Sequence, residues 1–288
     1  MNLEQLLKES RRKLGFTYRE FFIYIRMLTA TKRALPDYLI VGAQRAGTTS
    51  LYACLLQHPN ILPAYKKKEI HFWDNPKNYK KGWLWYQAHF PLLRVMKAAS
   101  AITGDKTPNY LENPEYIRRI QEDIPAMKLI ILLRNPVERA ISNYFMLKKR
   151  GFEELPIMDA LLSEEERLTR PSEQKRYGTE RAYKMRGIYA PSIKACLDYF
   201  PPEQTLILDS NSFFKTPSVI LKDVFNFLGV SIYNMQELTI HRNLGGYDKS
   251  EIPPQVYKYL QNFFRPYNEE LYSLLGRDFG WDKSPSEK

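Results

Sequence analysis

Four short runs of apolar residues recur along the chain, and a glycine or a polar loop follows each of them. They cover 38–41, 101–104, 128–133 and 205–208, and the third run is apolar throughout after Lys128. An uninterrupted run of this kind is typical of a central strand that is covered on both faces of a parallel sheet. We therefore predict four strands, and a short extended segment over 69–73, where polar and apolar residues alternate.

Helical patterns lie between the predicted strands, and several begin or end at proline. The predicted helices cover 49–57, 82–90, 113–125, 135–150, 156–168, 188–200, 217–228 and 254–275. Strands that alternate with helices of this length imply βαβ units. The predicted fold class is therefore α/β, a three-layer, doubly wound parallel sheet of about four to five strands, with ligands bound beyond the carboxyl ends of the strands.

Length and composition predict one domain. A chain of 288 residues is near the upper size for a single hydrophobic core. Its 44% apolar and 26% charged residues are ordinary for a soluble globular protein. We assign 36–283 to a single domain, 1–35 to a basic amphipathic N-terminal extension and 284–288 to a flexible tail.

The extension over 1–35 carries eight Lys or Arg residues against three Glu, interleaved with Leu, Phe and Ile. Two interpretations stay open: a helix that lies in a membrane interface, or a helix packed on the domain with a basic face in solvent. The chain has no apolar signal segment and no run of 18 apolar residues. Cys54 and Cys196 lie in apolar helical patterns typical of buried thiols. We expect a cytoplasmic protein, with peripheral membrane attachment through 1–35 as a further option.

The net charge of +11 indicates an anionic partner. Charge alone leaves open whether this partner is nucleic acid, a membrane surface or a phosphorylated or sulfated substrate. Against nucleic acid, the basic residues are scattered through the predicted loops, with no helix-turn-helix, zinc or RNA-recognition pattern. A nucleic-acid-binding module is therefore kept only as an alternative.

A glycine-containing loop joins the strand over 38–41 to the helix over 49–57. Its strand–loop–helix context is typical of a phosphate-binding loop, in which backbone amides at a helix N-terminus hold the anion. Gly42 and Gly47 have the Walker A spacing, but Thr48 stands where that motif has its lysine, and Arg45 lies inside the loop. The strand over 128–133 also ends in Arg134, not in an Asp that would help to hold Mg²⁺. These departures disfavour a P-loop kinase, the second alternative.

A second polar cluster follows the strand over 128–133. Arg134 leaves the strand, and Ser142 lies two helical turns later. An arginine and a hydroxyl can bind a terminal phosphate together through charge-assisted hydrogen bonds. The structural alternative is that Arg134 pairs with Glu138 or Asp105.

These two loops together resemble the two cofactor-binding elements of the sulfotransferase superfamily. Five further segments resemble its carbohydrate branch, the heparan sulfate N- and O-sulfotransferases, in consistent order from about residue 36 to 282. The segments are Lys68-Glu69-Ile70-His71-Phe72-Trp73, Tyr79-Lys80-Lys81-Gly82-Trp83-Leu84-Trp85-Tyr86, Asp105-Lys106-Thr107-Pro108-Asn109-Tyr110, Arg186-Gly187-Ile188-Tyr189 and Gly276-Arg277-Asp278-Phe279-Gly280-Trp281.

The resemblance implies transfer of a sulfonate group from 3′-phosphoadenosine 5′-phosphosulfate to a hydroxyl or amine of a carbohydrate acceptor, by in-line displacement and without a metal. The product would be adenosine 3′,5′-bisphosphate. The loop at Arg45 would hold the 5′-phosphosulfate, while Arg134 and Ser142 would hold the 3′-phosphate. The implied cofactor-binding residues are Gln44, Arg45, Ala46, Gly47, Thr48, Thr49, Arg134, Ser142, Tyr189, Gly245 and Gly246.

Carried over position by position, Glu69 matches the family's catalytic base and His71 the histidine two places later. Lys106 matches a lysine near the transferring sulfonate. Arg45 replaces the usual lysine, and we expect it to stabilise charge on the leaving phosphate. A carboxylate can take up the acceptor's proton, and the lysines at 66–68 favour its ionised form. Without the resemblance, Glu69 is a solvated partner of these lysines and His71 a packed histidine.

Two departures limit the carry-over, and the role of three tryptophans stays open. An arginine at position 45 does not donate a proton, so acid catalysis is not expected there. The loop over 241–247 has no cysteine and is shorter than the disulfide-closed loop of the family's Golgi enzymes. Trp73, Trp83 and Trp85 are candidates for stacking on a sugar, but they suit an aromatic core equally well.

Overall fold

A computed structural model describes residues 20–65, 69–172, 179–233 and 246–282 of the 288-residue chain. Several expectations therefore lie outside the described residues. They concern residues 1–19 of the N-terminal extension, the lysines at 66–68, Gly245 and the tail over 284–288.

Five parallel strands form one sheet in the order β2-β3-β1-β4-β5. They are β1 (Tyr38–Gly42), β2 (Ile61–Pro63), β3 (Ile102–Lys106), β4 (Lys128–Leu133) and β5 (Thr205–Asp209). The predicted α/β class with a parallel sheet of four to five strands is confirmed. The sequence pattern missed β2 because a three-residue strand is too short to show a period.

Strand β1 lies at the centre of the sheet, between β3 and β4, and all five of its residues are buried. Ile40 is paired with Lys106 on one side and with Ile130 on the other. The carboxyl ends of β1, β3 and β4 therefore lie side by side. Strand β3 extends two residues beyond its predicted end, so Asp105 and Lys106 belong to the strand itself.

Helices connect the strands and cover the sheet. They are α1 (20–27), α2 (Thr48–Leu55), α3 (Pro76–Tyr79), α4 (Trp83–Gln87), α5 (Leu93–Ala98), α6 (Pro114–Asp123), α7 (Pro136–Lys149), α8 (Ile157–Leu162), α9 (Glu164–Thr169), α10 (Ala190–Tyr199), α11 (Ser210–Lys215), α12 (Pro217–Leu228) and α13 (Pro254–Leu275). The side chains of Asn113 and Asn135 cap α6 and α7, and a proline follows each cap. These signals placed both helices correctly from the sequence.

The extended segment predicted over 69–73 is wrong, because these residues pass through bends without joining a strand. His71 lies in the left-handed region, with φ of 54°. The amides of Ile70 and Phe72 donate to the side-chain oxygens of Thr107 and Tyr110, at 3.3 and 3.0 Å. Side chains thus satisfy the backbone groups that a neighbouring strand would otherwise bind.

Burial in the core decides between the alternatives for several residues that the sequence singled out. Trp73 and Trp85 are buried in an aromatic cluster with Phe72, so they are core residues and do not present a surface for a sugar. Cys54 and Cys196 are buried free thiols, as predicted. Within the described ranges, no helix combines the length and apolar character that crossing a bilayer requires.

Candidate active site

A cleft of about 1420 Å³ opens at the carboxyl ends of the central strands. The loop after β1, the start of α7 and the segment 279–281 all contribute to its walls, as do Glu69 and His71. This position agrees with the expectation that ligands bind beyond the carboxyl ends of parallel strands.

The loop between β1 and α2 forms an anion cradle at one side of this cleft. Arg45 and Gly47 lie in the left-handed region, with φ of 69° and 101°. A Cβ atom at Gly47 would approach the ring of Phe214 to 2.8 Å, so this position requires glycine. Helix α2 begins at Thr48 without a side-chain cap. Its first backbone amides are therefore suited to an anionic ligand.

Neighbouring segments hold the loop in this shape. Ser210 donates to the carbonyl oxygen of Ala46 at 2.6 Å, and the Arg134 guanidinium donates to that of Arg45 at 3.0 Å. Tyr189 donates in turn to the carbonyl oxygen of Arg134 at 2.9 Å. Tyr189 is buried and is not among the residues that line the cleft. It therefore supports Arg134 from behind.

The side chain of Arg45 extends towards α7. Its Nη2 and Nε donate to Ser142 Oγ at 2.9 and 3.2 Å. Burial lowers the pKa of Arg45, and the charges of Arg134 and Arg150 lower it further. Three arginines that influence one another thus lie at this side of the cleft, and one of them contacts Ser142, an arrangement that attracts an anion.

The structural alternative for Arg134 is partly correct. Arg134 pairs with Glu138 at 3.4 Å, and Lys249 pairs with the same carboxylate at 2.8 Å. Asp105 has different partners, since it is buried and accepts hydrogen bonds from Thr107 and Tyr110. Burial raises the pKa of Asp105 to about 7.

A linear chain of polar groups lies next to the first turn of α2. Lys106 Nζ lies 2.6 Å from Glu69 Oε1 and donates to Thr49 Oγ1 at 3.1 Å. The second oxygen of Glu69 lies 3.2 Å from His71 Nε2, and His71 Nδ1 lies 2.7 Å from Asp74. Glu69 thus contacts both His71 and Lys106, so the three residues that the sequence singled out form one chain of contacts. Lys106 is buried behind Glu69, which faces the cleft.

The pKa values of this chain follow from its contacts. Burial alone would raise the pKa of Glu69, but the hydrogen bond to His71 and the charge of Lys106 outweigh it and lower the pKa to about 2. Burial would lower the pKa of His71, but its bonds to Asp74 and Glu69 raise it to about 10. Glu69 is therefore ionised and His71 is an imidazolium at neutral pH.

Comparison with known proteins decides the family. The model of the family described as "Sulfotransferase domain" matches residues 35–267. This chain belongs to the sulfotransferase family. The prediction of a sulfotransferase is thereby confirmed over the P-loop kinase alternative.

Individual relatives agree with this assignment. The sulfotransferase is 31% identical to heparan sulfate glucosamine 3-O-sulfotransferase 6 of Mus musculus, over 87% of this chain and 75% of that protein. It is 29% identical to heparan sulfate glucosamine 3-O-sulfotransferase 5 of Homo sapiens, over 86% and 74%. A sulfotransferase structure from Alicyclobacillus acidocaldarius superposes with a TM-score of 0.69 at 30% identity, covering 87% of this chain and all of that one.

Arg186 is one of the site residues of the sulfotransferase that were not singled out from the sequence. Arg186 lines the cleft, pairs with Glu112 at 2.9 Å and donates to Gln44 in the anion cradle. The only sequence signal was its place in the segment Arg186-Gly187-Ile188-Tyr189.

Within the described ranges, no three His, Cys, Asp or Glu side chains are grouped so that they could hold a metal ion.

We expect the pH dependence of stability to report the contacts of His71. A folded-state pKa of about 10 against an ordinary 6.5 means that protonated His71 stabilises the fold fully below pH 6.5. That contribution is lost as the pH rises through 10. The stability difference between the wild type and His71→Asn should therefore shrink from pH 6 to pH 10, as measured by urea unfolding. A difference that stays constant over this range would show that the pKa of His71 is not raised in the folded protein.

Proposed function

We propose that this sulfotransferase transfers a sulfonate group from 3′-phosphoadenosine 5′-phosphosulfate to a hydroxyl or amine of a carbohydrate acceptor. The observation that carries the proposal is that one cleft is lined both by the anion cradle and by Glu69, which pairs with the buried Lys106. Two relatives are named as heparan sulfate glucosamine 3-O-sulfotransferases, and these names support a carbohydrate acceptor.

The described residues fit such a donor. The uncapped start of α2 suits one phosphate, and the cluster of Arg45, Arg134 and Arg150 suits another. The rings of Phe214 and Trp281 line the same cleft, as an adenine base requires. Trp281 Nε1 is buried and has no hydrogen-bond partner in the described part of the chain. The bound donor would supply the sulfonate group and its leaving phosphate.

The contact between Arg45 and Ser142 supports a changed role for Arg45. The sequence led us to expect this side chain at the leaving phosphate. Its guanidinium instead lies against Ser142, which the resemblance assigns to the 3′-phosphate. We therefore assign Arg45 to that phosphate, and Lys106 alone to charge at the reacting end of the cleft.

We assign Glu69 as the group that takes up the acceptor's proton. A carboxylate with a pKa of about 2 is a weak base, and an efficient base has a pKa near the working pH. Its basicity rises if one of its two cationic partners is drawn away. Lys106 is the partner that can be exchanged, because its other contact is the neutral hydroxyl of Thr49, whereas the carboxylate of Asp74 holds His71. If Lys106 leaves Glu69 to stabilise charge on the bound donor, the pKa of Glu69 rises. Charge stabilisation by Lys106 and proton uptake by Glu69 are then coupled.

The donor assignment predicts discrimination between two nucleotides by isothermal titration calorimetry without Mg²⁺. Adenosine 3′,5′-bisphosphate should bind at least about tenfold more tightly than 5′-AMP, because a hydrogen bond to a charged group contributes about 1.5–3 kcal/mol. Arg45→Ala should lose most of this discrimination. Arg94→Ala, a change at an exposed arginine outside the cleft, should keep it.

Two different outcomes would contradict these assignments. Equal affinity of the wild type for both nucleotides would overturn the donor. Full discrimination in Arg45→Ala would leave the donor intact and overturn only the placement of Arg45 at the 3′-phosphate.

A further inference from the structure

The solvent face of α1 is apolar. Phe21, Tyr24, Ile25 and Leu28 have the spacing of neighbours on one side of a helix. Leu28 is 85% exposed, and the other three are between 44% and 59% exposed. Residues 20–27 form a helix, and its solvent side carries no basic side chains. Large apolar side chains stand there instead.

The inner side of α1 is fixed to the domain. Ile23 is buried, and the Arg26 guanidinium donates to the carbonyl oxygens of Ala88 and Phe90 at 2.7 and 2.8 Å. Glu20 pairs with Lys81 at 2.8 Å. These contacts hold α1 on the domain with its apolar side facing outward.

The segment after α1 adds further exposed apolar side chains. A bridge between Arg33 and Leu92, and a hydrogen bond from the Ala34 amide to the Pro91 carbonyl at 2.9 Å, join this segment to the start of α5. Exposed residues on the joined segments are Leu35, Leu93 and Val95. We call these three residues, with Phe21, Tyr24, Ile25 and Leu28, the N-terminal apolar face. None of its members lines the cleft.

Apart from Glu20, which pairs with Lys81, the stretches that carry this face contain basic residues and no acidic ones. Neither 21–36 nor 82–104 contains an Asp or Glu. The two stretches contain Arg26, Lys32, Arg33, Arg94 and Lys97, and of these Lys32, Arg94 and Lys97 are exposed. A second copy docked through a two-fold axis would bring the same basic residues together without acidic partners. An anionic surface would instead complement them.

We propose that the N-terminal apolar face docks on an anionic lipid bilayer. The aromatic and aliphatic side chains enter the boundary between headgroups and acyl chains, while the basic residues approach the anionic headgroups. The face and the cleft share no residue, so this attachment is independent of the proposed reaction.

Flotation of the full chain with phosphatidylcholine vesicles, with and without phosphatidylserine, tests the proposal. The wild type should bind the phosphatidylserine vesicles and bind the neutral vesicles more weakly. Ile25→Glu/Leu28→Glu should lower binding at least about tenfold, because charged side chains do not enter the bilayer boundary. Val219→Glu, at a 57% exposed position on α12, is the matched control and should bind as the wild type does.

The variants also need a check of folding. Thermal unfolding and binding of adenosine 3′,5′-bisphosphate should match the wild type, and the single variant Leu28→Glu serves if the double variant is unstable. A wild type that does not bind phosphatidylserine vesicles would overturn the proposal, as would undiminished binding by a folded variant. A dimer in sedimentation that Leu28→Glu converts to a monomer would assign the face to a second copy and overturn the lipid proposal as well.

Discussion

Replacing Glu69 by Gln is expected to lower kcat by about 10²–10⁴-fold, the usual contribution of a positioned general base. The amide keeps the shape of the side chain and loses the proton acceptor. Affinity for adenosine 3′,5′-bisphosphate should change little, because Glu69 lies with Lys106 and His71, away from the arginine cluster at Ser142. Steady-state rates with a carbohydrate acceptor and calorimetry with the nucleotide measure the two quantities separately.

The matched control is Glu138→Gln, which changes another carboxylate that lines the same cleft. Glu138 pairs with Arg134 and Lys249 and touches neither Lys106 nor His71 in the structure, so its loss should reduce kcat far less. Thermal unfolding of Glu69→Gln is needed as well, since the substitution leaves two cations without their carboxylate. If the folded Glu69→Gln variant turned over like the wild type, Glu69 would be only an ion-pair partner.

Lys106→Met should lower kcat by about 10²–10³-fold, the scale of losing one preorganised charge-stabilising group. Methionine has a similar length and carries no charge, so it suits a buried position. The substitution should also raise the pKa of Glu69, because the charge of Lys106 is one cause of its depression. The acid limb of the pH–rate profile should therefore move to higher pH than in the wild type.

Thr49→Val is the control for Lys106→Met. It removes the second partner of Lys106 and leaves the ammonium next to Glu69, so its effect on kcat at saturating donor should be much smaller, whatever it does to donor binding. Unchanged kcat in Lys106→Met would remove Lys106 from the chemistry. An unmoved acid limb would separate Lys106 from the ionisation of Glu69.

The elements with strong local signals were predicted well from the sequence. Helix α12 has the predicted bounds of 217–228 and α13 those of 254–275, since proline and glycine mark the ends of α12 and α13. The apolar run of β4 fixed the centre of the sheet. The segment 69–73 failed because tertiary hydrogen bonds from Ile70 and Phe72 decided its path, and an alternating pattern contains no information on such partners.

The composition of the site was predictable, but its contacts were not. Motif spacing and resemblance led to Arg45, Glu69 and Lys106 as separate candidates. The partner of Arg45 is 97 residues away, and that of Lys106 is 37 residues away. Only the folded sheet determines these contacts. For the same reason, the role of Arg45 changed once the direction of its side chain was known.

Arg45 and Lys106 already have partners within the protein, Ser142 and Glu69. An anion that binds them must therefore compete with side chains of the protein itself. Its affinity is a difference between two sets of contacts, because the new bonds replace existing ones. Small inorganic anions offer few contacts beyond those they displace. The cleft should consequently select against sulfate, phosphate and chloride despite its positive charge, and favour ligands long enough to reach both cations at once.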